Sequence, residues 1–147
     1  MEPIQTLFFY LLDKTVRTHR QYSQNRLRLQ GYPITVDQWL LLTAISQNKS
    51  LTQAELCEIV FKDKASLARM MDVLLRKKLL KRKSSKEDKR KWQVDLTAKG
   101  EALLAETEPI VLINRKLSLE GVSNADLEHV KQVVYKILDN CHRHYNL

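Results

Sequence analysis

Asp63-Lys64-Ala65-Ser66-Leu67-Ala68-Arg69-Met70-Met71-Asp72-Val73-Leu74-Leu75-Arg76-Lys77-Lys78-Leu79-Leu80-Lys81-Arg82-Lys83 is the stretch from which the fold is read. Leu67, Met70, Met71, Leu74 and Leu75 recur at i, i+3, i+4, i+7 and i+8, the spacing of one buried helix face. Asp63 suits the N-cap, so a helix is predicted from about 64 to 77. Its opposite face carries Lys64, Ser66, Arg69 and Arg76. Residues 79–83 and 91–96 then read as two short strands around a polar tip at 84–90. That tip has no Asn-Gly turn, so a long, mobile basic hairpin is expected.

Upstream, Thr52 with Glu55 three residues on makes a capping-box pattern for a short helix that turns Leu56, Ile59 and Val60 inward. Such a helix is too short to stand alone and must pack on its neighbours. Thr35 with Gln38 repeats the pattern before Trp39, Leu40, Leu42, Ala44 and Ile45. A long first helix is predicted from Pro3, carrying Leu7, Phe8, Leu11, Leu12, Val16, Tyr22, Leu27 and Leu29 until Gly31-Tyr32-Pro33 breaks the pattern. Downstream, Thr97 caps a helix with Leu103, Ile110, Val111 and Ile113, in which Pro109 removes a hydrogen bond and predicts a kink. Ser123 caps a last helix whose wide apolar face includes Leu127, Val130, Val133, Val134, Ile137, Leu138, Cys141 and Tyr145.

The 147 residues, 44% hydrophobic and 29% charged, exclude a disordered chain, and three Gly and three Pro are too few for a sandwich of many short strands. A mostly helical fold is expected. No apolar run approaches the ~20 residues of a membrane span, and the first residues lack the pattern of a secretory leader, so no membrane and a cytoplasmic location are expected. Charge is concentrated: residues 62–91 hold 13 Lys or Arg against 4 Asp or Glu, while the whole chain holds 25 against 17. A stripe of this kind is the footprint of a polyanion, nucleic acid first.

Cys57 and Cys141 make no disulfide framework and are expected to be packed. Cys141, His142 and His144 crowd the C-terminus, but only Cys141 and His144 share a helix face, so no metal site is expected. No glycine-rich phosphate loop, His-Glu-x-x-His or Gly-x-Ser-x-Gly occurs, so neither an enzyme nor a cofactor is expected.

Two helices, a short turn, an amphipathic helix with a basic outer face and a basic hairpin together predict a winged helix-turn-helix on double-stranded DNA. The second helix of the pair enters the major groove, where Lys64, Ala65, Ser66 and Arg69 are the candidate base contacts. Thr52, Gln53 and Arg76 are the candidate phosphate contacts. The wing cations Arg82, Lys83, Lys86, Lys89 and Arg90 lie along phosphates, with an arginine in the adjacent minor groove.

The chain resembles the MarR (multiple antibiotic resistance regulator) family. Ala68-Arg69-Met70-Met71-Asp72, Leu74, Leu79, Glu87-Asp88-Lys89-Arg90, Val94, Leu96-Thr97 and Gly100 follow its recognition helix, wing and post-wing helix without a gap, and Thr52-Gln53-Ala54-Glu55-Leu56 follows its capped helix. The resemblance implies that Arg90 enters the minor groove, that Asp88 orients the wing, and that the terminal helices form a homodimer on an inverted-repeat site. It also implies a repressor released by a small aromatic or anionic effector, for which His19, Tyr22 and Trp39, with Phe8 and Tyr32 beside them, are candidate lining. The expected organisation is a single domain over 1–147, with the DNA-binding part at about 35–100 and dimerisation helices at about 3–30 and 101–147. The alternative is a helical protein-interaction module without effector control. Two positions depart from the pattern: Ala68 replaces a common Thr, and Lys78 stands where a Gly usually ends the recognition helix, which predicts about 1 kcal/mol of strain if the left-handed conformation is kept.

Overall fold

The computed structural model describes residues 2–83 and 94–145. A 3-10 turn at Ile4–Thr6 precedes α1 (Phe8–Leu29), α2 (Val36–Gln47), α3 (Gln53–Val60) and α4 (Lys64–Arg76). Strands β1 (Leu80–Arg82) and β2 (Val94–Leu96) come next, then α5 (Ala98–Ser118) and α6 (Asn124–Tyr145). The architecture is the expected one, mostly α with a two-stranded antiparallel β wing. The chain forms two compact units, Met1–Asn114 and Arg115–Leu147.

Helix starts are settled locally. At α2 the Gln38 amide donates to Thr35 Oγ1 and the Thr35 amide to Gln38 Oε1, both at 3.1 Å. At α3 the Glu55 amide donates to Thr52 Oγ1 at 3.2 Å and the Thr52 amide to Glu55 Oε2 at 2.6 Å. Each box satisfies two amides that a helix N-terminus otherwise leaves open. The first helix departs from expectation, beginning at Phe8 rather than near Pro3. The Pro3 carbonyl is taken by the Thr6 amide and hydroxyl, at 3.0 and 2.7 Å, which closes a separate 3-10 turn and leaves Leu7 extended.

The core of the first unit gathers Leu27 from α1, Leu41, Leu42 and Ile45 from α2, Leu56 and Val60 from α3, Leu67, Met71 and Leu74 from α4, and Leu80, Val94 and Leu96 from the hairpin. In the sheet Leu80 lies opposite Leu96, Lys81 opposite Asp95 and Arg82 opposite Val94, so alternation sends the aliphatic pair inward and the charged pair outward. From α5, Thr107 Oγ1 accepts the Trp39 indole N–H at 3.1 Å, and Asn114 Oδ1 accepts from Arg26 Nε at 3.3 Å. Pro109 lies within α5, which runs on to Ser118.

The junction of α4 with β1 explains the Leu96-Thr97-x-x-Gly100 pattern. The Lys78 amide donates to the Leu75 carbonyl and the Leu79 amide to the Leu74 carbonyl, both at 3.0 Å, a Schellman closure with Lys78 left-handed at φ 57°. Thr97 Oγ1 donates to the Lys78 carbonyl at 2.6 Å and accepts from the Gly100 amide at 3.1 Å, tying the start of α5 to the turn. The turn therefore keeps its glycine-like geometry without glycine. A left-handed L-residue costs about 1–2 kcal/mol, and glycine returns roughly half of that through the freedom of the unfolded chain. Lys78→Gly is accordingly expected to stabilise the protein by about 0.5–1 kcal/mol in urea titration, and a loss of stability would show that the lysine side chain contributes more than its backbone strain costs.

In the second unit, every described residue of α6 is exposed or half-buried, so Cys141 is exposed rather than packed, contrary to expectation. Cys57 is half-buried against the first unit's core, as expected. Among the described residues no helix is long and apolar enough to cross a membrane.

Candidate nucleic-acid interface

The outer face of α4 is organised from its first turn. Asp63 caps the helix, accepting from the Ser66 amide at 2.7 Å and from Ser66 Oγ at 3.2 Å. Arg69 then donates through Nη2 to Ser66 Oγ at 3.0 Å, so the cap and the guanidinium share one serine hydroxyl. The amide hydrogen bond from Ser66, reinforced by its hydroxyl and by the Arg69 charge, holds the Asp63 carboxyl below the usual carboxylate range. Lys64 and Ala65 are exposed on the same turn and Arg76 on the last one. The structure thus brings Lys64, Ala65, Ser66 and Arg69 together at one end of one helix, with small side chains where a close approach needs them.

The phosphate candidates divide. Arg76 is exposed, whereas both the amide and the hydroxyl of Thr52 are engaged with Glu55 and Gln53 is half-buried, so Thr52 serves first as a cap. The basic stretch divides in the same way. Lys77 donates to the Pro33 carbonyl at 2.6 Å, Lys62 pairs with Asp37 at 3.1 Å, and Lys83 pairs with Asp95 at 3.3 Å. These three are tied to the body of the protein. Lys64, Arg76, Lys81 and Arg82 are exposed, and no side-chain partner is found for them among the described residues.

On the wing, Arg82 and Lys83 lie at the end of β1 away from α4, Arg82 opposite Val94. Partial burial raises the Asp95 carboxyl, but the Lys83 hydrogen bond and the charges of Lys83 and Lys49 outweigh it and leave the group below the usual range. Lys86, Asp88, Lys89 and Arg90 lie outside the described residues.

Of the effector candidates, His19 and Tyr22 are neighbours on α1, with ring centroids 6.5 Å apart. Trp39 is instead directed at Thr107. Tyr32 packs against the core, and Phe8 is exposed beside Phe9. Sequence reasoning missed a cavity of about 230 Å³ lined by Arg20, Gln21, Gln24, Thr35, Val36 and Asp37. At its rim Asp37 pairs with both Arg20 of α1 and Lys62 of the α3–α4 turn. Gln24, also in the lining, accepts from the Val36 amide at 2.9 Å and donates to the Ile34 carbonyl at 3.2 Å. No local spacing in the sequence signals groups brought together from such separated positions.

A helix pair joined by a tight turn, with an exposed basic face on its second helix and an antiparallel hairpin directly after it, defines a winged helix-turn-helix DNA-binding protein. The family model described as MarR family matches residues 32–91, from before α2 into the wing. A solved transcriptional regulator, PA3341, is 31% identical, with 93% of this chain and 99% of that one covered at a TM-score of 0.81. The chain belongs to the MarR family, and it is a DNA-binding transcriptional regulator. Its fold is also that of Bordetella bronchiseptica BpsR, whose DNA binding is regulated by 6-hydroxynicotinic acid, at 21% identity, coverage of 95% and 98%, and a TM-score of 0.81. S. aureus MepR, solved in complex with DNA, is 22% identical, with coverage of 92% and 97% and a TM-score of 0.79.

Proposed function

We propose that a homodimer of this chain acts in the cytoplasm as a repressor, without enzymatic activity, on an inverted-repeat operator and is released by a small aromatic or anionic effector. The observation that carries the DNA reading is the exposed face of α4, where Lys64, Ala65, Ser66 and Arg69 occupy the end of the helix that such folds present to base edges. Arg76 and Arg82 supply phosphate contacts, and Lys86, Lys89 and Arg90 extend them along the wing, with Asp88 orienting it.

Dimerisation is supported by apolar side chains left in solvent by the single chain. Leu7, Phe8, Leu11 and Val16 are exposed on or beside α1, as are Val130, Val133 and Leu138 on α6. Covering such faces with a second copy places two recognition helices about 34 Å apart on one side of a duplex. The effector reading is supported by the cavity beside Arg20, small enough for a single-ring acid, with His19 and Tyr22 on the same helix. An anion entering there competes with Asp37 for Arg20, and a dimer that binds it better in a spacing unfit for DNA is drawn off the operator.

The test is selection from a random duplex pool, followed by sedimentation. Enrichment of an inverted repeat and a mass about twice 17.2 kDa are expected. A monomer that still binds DNA would overturn the dimer, and failure to enrich any sequence would overturn the DNA reading. With salicylate or 6-hydroxynicotinic acid as probes, operator and ligand must weaken each other's affinity by the same factor. Saturable ligand binding indifferent to operator would overturn release by that ligand.

A further inference from the structure

Among the described residues Phe61 and Lys78 are the non-glycine residues in the left-handed region, and of the two Phe61 is the one that leaves an apolar side chain in solvent. It sits in the turn between α3 and α4 with φ 53° and ψ 45°, left-handed, and it is 84% exposed. The turn closes α3 by the Schellman pattern: the Phe61 amide donates to the Glu58 carbonyl at 3.3 Å and the Lys62 amide to the Cys57 carbonyl at 3.0 Å. The same pattern closes α1, where the left-handed position is Gly31 at φ 79°. Helix-turn-helix turns often hold glycine as well, because only glycine enters this region without a Cβ penalty. Here a bulky aromatic takes the strained conformation and buries almost nothing in return. Backbone strain maintained without a structural gain is a mark of a functional position.

Its place in the fold indicates the function. Phe61 precedes the Asp63 cap by two residues and Lys64 by three, beside the helix end that approaches base edges. The cation next to it, Lys62, is tied to Asp37, whereas the Phe61 ring stands in solvent. On the major-groove edge of DNA the one apolar group is the 5-methyl of thymine, which phenylalanine can contact.

We propose that Phe61 is a further DNA-reading residue, set by the left-handed turn to pack on a thymine methyl at the border of each half-site. This rests on α4 being the element that enters DNA. The ring adds discrimination beside the polar contacts of α4, and strain in the turn is what projects it outward.

The experiment uses a duplex that the wild-type protein has enriched from a random pool, together with Phe61→Gly and Phe61→Asn, both of which accept the left-handed conformation. Each variant is expected to melt no lower than wild type and to bind the selected duplex about tenfold more weakly. Replacing thymine by uracil, one position at a time, is expected to weaken wild-type binding about fourfold at one position per half-site, the effect of one methyl, and to leave the variants unmoved there. Unchanged affinity in both variants would overturn the proposal, as would the absence of any uracil position that separates wild type from variant. Failure of the wild type to enrich any duplex would instead remove the DNA reading itself, and this inference with it.

Discussion

Gly100→Ala is expected to lower folding stability by about 3 kcal/mol, measured by urea denaturation. At an unconstrained helical position the same change stabilises by about 1 kcal/mol, since alanine is the better helix former, so the sign alone is diagnostic. The expectation is reversed here because a Cβ on Gly100 would meet the Leu79 carbonyl oxygen at 2.2 Å and its carbon at 3.2 Å. These are backbone atoms and cannot swing aside as a side-chain end can. Leu79 and Leu80 are buried, and the Leu79 carbonyl already accepts from the Thr97 amide at 3.1 Å. Relief therefore has to come from moving the start of α5 away from the α4–β1 turn, which also stretches the Thr97 hydroxyl bond to Lys78. A variant within about 0.5 kcal/mol of wild type would mean that this junction yields far more easily than its geometry indicates.

Arg69→Ala is expected to weaken operator binding by about 1–3 kcal/mol, roughly fivefold to 150-fold, with stability nearly unchanged because the side chain is exposed. If the guanidinium is bonded in bidentate fashion to guanine O6 and N7, the loss concentrates at one base position per half-site. Its anchoring to Ser66 Oγ, and through that hydroxyl to the charged Asp63, lowers the entropy lost when the fork meets its base. Binding titrations on the operator and on a scrambled duplex separate the possibilities. Equal weakening on both would reassign Arg69 to phosphate, and the salt dependence would then fall by about one unit of slope.

How much of the fold is legible in the sequence depends on the range of the forces involved. The boxes at Thr35–Gln38 and Thr52–Glu55 and the Asp63 cap act over three residues, and the structure contains each of them. The α4 stripe is equally legible, since burying Leu67, Met71 and Leu74 requires only their spacing. Pro3 misleads because a first-turn proline suits a 3-10 turn as well as an α-helix, and the bonds made by Thr6 decide between them. The Arg20–Asp37–Lys62 cluster is illegible because it depends on how α1, α2 and the α3–α4 turn meet. Phe61 is illegible for another reason: a left-handed turn is inferred from glycine or asparagine, and neither is present. The lysine at 78 stands out only against the family's glycine, and its left-handed φ bears that comparison out.

The tie from Thr97 to the Lys78 carbonyl, with Arg82 facing Val94 at the far end of the paired strands, fixes both feet of the wing on the body of the protein. The strand pairing holds the two ends of the intervening sequence together whatever its length. Lengthening such a segment costs little, about 0.6 kcal/mol for a doubling, because loop closure grows only with the logarithm of length. The length and charge of that sequence can therefore be changed by design while the paired strands and the α4–β1 turn stay as they are, which makes it the natural place to graft a new sequence preference.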